Sequence, residues 1–132
     1  MLKDIVGIIP RQRFVDSRGW FVKPIDGNEI DMSNKKFEIY VTSANPGQSK
    51  GGDYSLTTNK WFTLIKGQAT LILEDVKTKE RILMELDSQK PKTIYVPCMI
   101  ANILQNKGNE ESVLVVYADK QYDKNDIIQY EL

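Results

Sequence analysis

The chain has 132 residues, 41% hydrophobic and 27% charged, which is the balance of a globular protein that buries a core without disulfides. Its 18 basic and 18 acidic side chains cancel, so whole-chain charge gives no reason to expect nucleic acid or an anionic membrane as partner. No histidine occurs, so the usual general base and the commonest metal ligand are both missing. We expect a single domain over residues 1–132.

The cysteine count and the N-terminal sequence bear on the compartment. Cys98 is the only cysteine, which excludes an intrachain disulfide and fits a reducing environment. The first residues, MLKDIVGIIPRQRF, place Asp4 and Pro10 where a signal peptide has an unbroken apolar stretch. No apolar run of membrane-spanning length follows. We expect a cytoplasmic protein without membrane or nucleic-acid partners.

Short strands separated by turn residues account for most of the chain. The predicted strands cover residues 5–9, 37–43, 60–65, 68–76, 82–86, 93–96 and 113–118. A tight turn over residues 16–19 and a hairpin turn at Lys66-Gly67 separate strand segments. The polar tail, residues 119–132, is predicted to contain either a turn of helix or an edge strand.

The pattern as a whole predicts an all-β protein. No segment shows a sustained helical period, and many short strands with regular turn signals are typical of an antiparallel sandwich or barrel. A closed or double sheet also removes exposed edge strands. A small barrel offers a ligand site at its mouth or in its interior.

The stretch GQSKGGDYSLTTNKWFTLIKG joins a glycine-rich entry, a polar cluster and a strong strand. Its spacing resembles the first motif of the cupin family, whose glycine, two histidines, glutamate and final glycine fall at Gly47, Asp53, Ser55, Lys60 and Gly67. The second cupin motif, with proline, glycine, histidine and asparagine, falls at Pro97, Met99, Asn102 and Asn106. The resemblance implies a jelly-roll barrel, the double-stranded β-helix of the cupins.

The metal-ligand positions of the cupin motifs have all changed in this chain. Where a cupin holds its ion with three histidines and a carboxylate, this sequence has Asp53, Ser55, Lys60 and Asn102. A lone carboxylate beside an ammonium group is a poor transition-metal site. We therefore expect no catalytic metal and no cofactor.

Within the cupins, three segments resemble the dTDP-4-dehydrorhamnose 3,5-epimerases and the dTDP-4-keto-6-deoxyhexose 3,4-ketoisomerases. The segment DSRGWF, from Asp16, is similar to an early stretch of the epimerases. The segment KGGD, from Lys50, is similar to the Arg-Gly-Gly-His step of the ketoisomerases. The ending YADKQYDKNDIIQYEL resembles the ketoisomerase C-terminus. Together these segments extend the resemblance from about Asp16 to the end of the chain.

The resemblance implies site residues and a chemistry. These enzymes need no metal and move protons on carbons next to a ketone, with a histidine as base and a tyrosine as acid. Carried over, the base falls on Asp53 and the acid on Tyr117, whose parity with Val113 and Val115 predicts that it faces the core. The residues expected to contact substrate are Arg18, Tyr40, Lys50, Ser55, Lys60 and Asn102.

Several alternatives stay open at this point. An ordinary aspartate has a pKa of about 3.9 against about 6.5 for histidine, which makes it the weaker base by roughly 3.5 kcal/mol. Asp53 and Lys60 can instead form an ion pair inside the barrel, and Tyr117 can be a core residue.

Two functions therefore remain. The first is a metal-independent epimerase or isomerase of a nucleotide-linked 4-keto-6-deoxy sugar, serving the synthesis of cell-surface polysaccharide. The second is a non-catalytic cupin that binds a sugar nucleotide or a partner enzyme. The resemblance also implies a homodimer, because family members usually share edge strands between two subunits.

Overall fold

The computed structural model describes residues 1–17, 19–26 and 37–132. The strands are β1 (Gly7–Pro10), β2 (Arg13–Asp16), β3 (Gly19–Val22), β4 (Glu38–Ala44), β5 (Ser49–Ser55), β6 (Lys60–Lys66), β7 (Gln68–Asp75), β8 (Arg81–Asp87), β9 (Lys92–Val96), β10 (Ile100–Gln105), β11 (Ser112–Ala118) and β12 (Ile127–Gln129). A short helix α1 (Leu2–Ile5) precedes them, and a turn of 3₁₀ helix (Lys124–Asp126) precedes β12. No helix in the described ranges is long and apolar enough to cross a membrane.

Two five-stranded antiparallel sheets form the body of the fold. Sheet I has the strand order β1-β9-β6-β11-β4, and sheet II has the order β12-β5-β10-β7-β8. Within the described residues, strands β2 and β3 pair only with each other, as a separate hairpin. Except for β7 and β8, neighbours within each sheet come from distant parts of the chain, and this arrangement is a jelly roll. The prediction of an all-β jelly-roll fold is confirmed.

The hydrophobic core lies between the two sheets. Alternate residues of the central strands point into it, and each of them is at most 4% exposed: Phe62, Leu64, Leu71, Leu73, Leu114 and Val116. Burying a side chain of this size stabilises the fold by roughly 1.5–3 kcal/mol. Leu2 of α1 joins the same cluster.

Two segments differ from the sequence-based predictions, and a third bears on the two alternatives predicted for the tail. The strand predicted over 5–9 begins only at Gly7, because a helical turn lets Leu2 and Val6 reach the core. The glycine-rich entry is itself a strand, β5, which pairs with β10 on one side and β12 on the other. The tail contains both of the predicted alternatives, a turn of 3₁₀ helix followed by the edge strand β12.

Met99 occupies the position at which the second cupin motif has glycine. The conformation of its backbone explains why the motif has glycine there. Its φ is 68°, in the left-handed region that disfavours side chains. The Met99 N–H donates to the carbonyl of Ser55 at 2.8 Å, and its carbonyl accepts from the Val76 N–H at 3.3 Å. These two hydrogen bonds hold the turn between β9 and β10 in this conformation.

We expect Met99→Gly to be more stable than Met99→Ala by about 1 kcal/mol, because only the alanine variant retains left-handed strain. The free energy of unfolding from urea titration measures the difference. The matched pair Lys107→Gly and Lys107→Ala, at an exposed turn position without a positive φ, should show no advantage for glycine. Equal stability of the two Met99 variants would contradict the argument.

Candidate active site

Two cavities that share part of their lining lie between sheet I and sheet II. The inner cavity, of about 180 Å³, is lined by core side chains and a few polar groups, among them Lys50, Phe62, Asn102 and Leu104. The outer cavity, of about 470 Å³, is lined largely by polar residues, among them Glu38, Thr58, Lys120 and Gln129. Tyr40, Asp53 and Lys60 line both cavities. These three residues therefore mark the place where the two cavities meet.

Strand register places the three shared residues on facing walls. Tyr40 of β4 is opposite Val116 of β11 in sheet I, so it points to the same side as that core residue. Lys60 begins β6 in the same sheet. Asp53 of β5 belongs to sheet II, where it is opposite Asn102 of β10. A carboxylate on one wall thus faces a phenol and an ammonium group on the other.

Gly51 allows β5 and β10 to approach closely beside Asp53. Its φ is +106°, and a Cβ built at this position would lie 2.7 Å from the carbonyl oxygen of Asn102. The same Cβ would lie 3.1 Å from Oδ1 of Asn102. The register of the two strands shifts between Asn102 and Ile103, at the same point. A glycine is therefore required for the local geometry that sets Asp53 and Asn102 side by side.

The electrostatic surroundings keep Tyr40 protonated. Burial, followed by the negative charges of Asp53 and Glu38, raises the pKa of Tyr40 to about 12. The hydroxyl group therefore carries its proton at neutral pH and can donate a hydrogen bond or a proton into the cavity. Tyr40 is 37% exposed, so the residue also remains open to solvent and ligand.

The predicted alternative of an Asp53–Lys60 ion pair is absent from the structure. In the ranges that the structure describes, no ion pair joins the two side chains. Two other carboxylates of the outer cavity have protein partners. Asp126 accepts hydrogen bonds from both Thr57 and Thr58, and Asp123 accepts one from the backbone N–H of Asn125. Asp53 and Lys60 are thus left facing the cavity.

Tyr117 is buried, as its predicted core position requires, but it lines neither cavity, so the cavity lining does not support its predicted place in the site. The cavity side of β11 carries Leu114 and Val116, and Tyr117 lies on the other face. Its side chain is 1% exposed and packs against Phe37 and Trp61, with both ring centroids 5.4 Å from its own. The parity with the neighbouring valines is right, but the segment VLVVYA is apolar on both faces. Alternation alone therefore could not tell which face is the inner one.

The other predicted site residues have different placements. Lys50 and Asn102 line the inner cavity, next to Asp53. Ser55 is buried, with 6% exposure, and lines neither cavity; its carbonyl accepts the hydrogen bond from Met99. Arg18 lies outside the residues that the structure describes.

Sequence reasoning missed several residues of the outer cavity. Glu38 has the same strand parity as Tyr40, so alternation within the predicted strand 37–43 could have found it. Lys120 and Gln129 come from the tail, which reaches the cavity because β12 pairs with β5. Pairing between segments so distant in sequence leaves no local signal.

The residues at the cupin metal positions do not fit a transition metal. Of the four residues at these positions, only Asp53 and Asn102 bring a side-chain oxygen to the inner cavity, and Lys60 adds a positive charge beside them. Such ions prefer imidazole and thiolate ligands, and an ammonium group repels a cation. Among the described residues, no group of three or more histidine, cysteine, aspartate or glutamate side chains is placed to hold a metal ion.

Solved structures share this fold at low sequence identity. ChmJ, a 3'-monoepimerase from Streptomyces bikiniensis solved with dTDP-quinovose, has a TM-score of 0.79 and 12% identity over 94% of this chain and 68% of its own. A mutant of the 3,4-ketoisomerase QdtA from Thermoanaerobacterium thermosaccharolyticum, solved with TDP-4-keto-6-deoxyglucose, has a TM-score of 0.72 and 17% identity over 93% of this chain and 86% of its own.

A third structure is the capsular polysaccharide assembling protein CapF from Staphylococcus aureus. It has a TM-score of 0.70 and 22% identity over 93% of this chain. The chain spans only 33% of the length of CapF. Comparison with curated proteins gave no match.

The chain thus shares the fold of ChmJ and QdtA. Residues 14–130 match the model of the polysaccharide biosynthesis C-terminal domain family. The chain belongs to that family.

Proposed function

We propose that the protein is a metal-independent epimerase or ketoisomerase of a nucleotide-linked 4-keto-6-deoxy sugar, working in the synthesis of cell-surface polysaccharide. One observation carries the proposal: Asp53 on one sheet faces Tyr40 and Lys60 on the other, across shared cavities. This places a proton acceptor, a proton donor and a cation around one volume. Membership of a polysaccharide biosynthesis family and the likeness in fold to sugar-nucleotide enzymes support the same choice.

The substrate would fill both cavities. The 4-keto sugar lies where they meet, with its ketone oxygen towards Lys60. The nucleotide diphosphate extends into the larger outer cavity, where it has to lie beside Lys120 and away from the carboxylates of Glu38, Asp123 and Asp126. Lys50 and Asn102 contact the sugar from the inner cavity, and Arg18 also contributes to substrate binding.

The chemistry is proton transfer through an enolate. The Asp53 carboxylate removes the proton from the carbon next to the ketone, and the electron pair of that C–H bond forms the enolate double bond. The developing negative charge on the ketone oxygen is stabilised by the Lys60 ammonium group. This stabilisation offsets the low basicity of an aspartate, since a carboxylate base needs such an oxyanion partner.

A second function is favoured by one specific observation, the lack of histidine in the whole chain. In this alternative the protein is a non-catalytic cupin that binds a sugar nucleotide, or a partner enzyme, without turning the sugar over. It needs only the polar lining of the cavities and no base.

Proton exchange measured by NMR separates the two functions. Wild-type protein is mixed with dTDP-4-keto-6-deoxyglucose in heavy water, and the ring protons at C3 and C5 are followed. We expect their signals to decay as deuterium enters. Broadening of the ligand signals without exchange would support the binding function and contradict the enzyme.

The proposal includes a cytoplasmic homodimer. Strand β4 is an edge of sheet I, and its outward side chains Ile39 and Val41 are 58% and 64% exposed. An edge strand with apolar side chains is a suitable surface for a second subunit. Analytical ultracentrifugation tests this part, and a monomer at micromolar concentration would contradict it.

A further inference from the structure

The sequence resemblance assigns the acid to a tyrosine that the structure places on the wrong face of its strand. Tyr117 packs against Phe37 and Trp61, away from both cavities. A proton donor for the proposed reaction must touch the substrate, and Tyr117 does not line the space where the substrate lies. The role of the acid therefore has to be filled by another group.

Tyr40 has the position that this role requires. It lines both cavities, as Asp53 does, and the two residues belong to different sheets. A sugar ring between the sheets would present one face to Asp53 and the other to Tyr40. Two neighbouring hydrogen-bond donors are less suited to the role of the acid. Lys60 is a cation suited to the ketone oxygen, and Asn102 is on the same sheet as Asp53, so it would face the same side of the ring.

We infer that Tyr40 is the catalytic acid and that the reaction is an epimerisation at the carbon next to the ketone. The inference rests on the proposed function and deepens it. A base on one wall and an acid on the facing wall can take a proton from one face of a carbon and return a proton to the other face, which inverts that carbon. A ketoisomerisation moves the carbonyl to the adjacent carbon, and the base that took the first proton can return it to that carbon from the same face of the ring.

The proton balance of the step is as follows. Asp53 takes the proton from one face of the carbon and becomes neutral, and the C–H electron pair forms the enolate. The enolate carbon then takes the proton of the Tyr40 hydroxyl on its opposite face, and the carbonyl is restored. Tyr40 is left as the phenolate, and transfer of one proton from Asp53 to Tyr40 through solvent returns both groups to their starting states.

Charge around Tyr40 is consistent with this assignment. The groups that face it are Asp53 from β5, Glu38 from its own strand and Lys60 from β6. The two carboxylates raise the pKa of the phenol, which makes Tyr40 a weaker acid than a free tyrosine. The enolate carbon is a far stronger base than a phenolate, so delivery is still favourable.

The test uses the full chain and compares Tyr40→Phe with Tyr117→Phe and with Tyr54→Phe, a tyrosine that lines neither cavity. In heavy water, NMR separates deuterium entering the recovered substrate, which needs only the base, from deuterium in the inverted product, which also needs the acid. We expect Tyr40→Phe to lose the inverted product by about 10²–10⁴-fold, the usual contribution of a general acid. Exchange into recovered substrate should stay within about threefold of wild type, since loss of one general acid leaves the base in place.

The outcomes are distinct. Unchanged inversion in Tyr40→Phe, or equal loss of inversion and exchange, overturns the acid role, and so does loss of inversion in Tyr117→Phe. Circular dichroism and thermal unfolding show whether each variant is folded. If the wild-type protein exchanges no proton at all, the proposed function itself fails. If the wild-type protein exchanges protons but Tyr40→Phe does not lose inversion selectively, the proposed function stands and only the inference about Tyr40 fails.

Discussion

Asp53→Asn is expected to slow deuterium entry into the 4-keto sugar by about 10³-fold, the middle of the range for a general base. An amide has nearly the shape of the carboxylate but accepts no proton from carbon. The carboxylate has no ion-pair partner in the described part of the chain, so its replacement leaves no buried cation unpaired. Stability and ligand binding should therefore change little. NMR exchange rates and ligand line-broadening measure the two properties separately.

The same variant has a second, spectroscopic consequence. After burial, the charge of Asp53 is the next largest cause that raises the pKa of Tyr40 to about 12. Removing that charge lowers the pKa of Tyr40, while burial and Glu38 still hold it above its ordinary value. Ultraviolet titration of tyrosinate, with Tyr40→Phe as the blank, detects the shift.

Asp4→Asn is the matched control for the Asp53 variant. It removes one negative charge from a surface carboxylate whose side chain is 64% exposed and lines neither cavity. We expect it to leave both the exchange rate and the Tyr40 titration unchanged. An Asp53→Asn protein that exchanges at the wild-type rate would remove Asp53 from the mechanism.

The fold could be predicted from the sequence because its signals are local. Runs of apolar residues mark β6, β7 and β11, and turn residues separate the strands. The cupin spacing from Gly47 to Gly67 survives although the ligand residues have changed, since backbone geometry depends on glycine positions more than on cavity side chains. Met99 shows the limit of this rule, because it retains the left-handed backbone without the glycine.

The site could be predicted only in part. Asp53, Lys60 and Asn102 lie at motif positions, and the structure places all three on the inner cavity. The face of β11 that lines the cavities could not be read from a segment that is apolar on both sides, so the sequence could not show that Tyr117 lies on the other face. The outer cavity depends on the pairing of β12 with β5, a contact between distant parts of the chain, such as Gln129 with Asp53, that no local pattern encodes.

Gly51→Ala is expected to lower the free energy of unfolding by about 3 kcal/mol and to slow proton exchange by about 10–100-fold. Two physical effects add. Left-handed backbone at φ +106° strains any residue with a Cβ, by about 1–3 kcal/mol. The new Cβ would also lie 2.7 Å from a backbone oxygen of Asn102, so β5 or β10 has to move. That movement displaces Asp53, and a displacement of about 1 Å in an active site costs up to 10²-fold in rate.

Gly47→Ala separates the two effects, because Gly47 has a positive φ of +82° but no atom within 4 Å of a built Cβ. It should show the strain alone, about 1 kcal/mol, with the exchange rate preserved. Urea unfolding and NMR exchange on the two variants measure stability and rate in parallel. If the Gly51 variant loses no more stability than the Gly47 variant, the close approach of β5 to β10 does not constrain the site. If it loses stability but keeps its rate, Asp53 is not positioned by that approach.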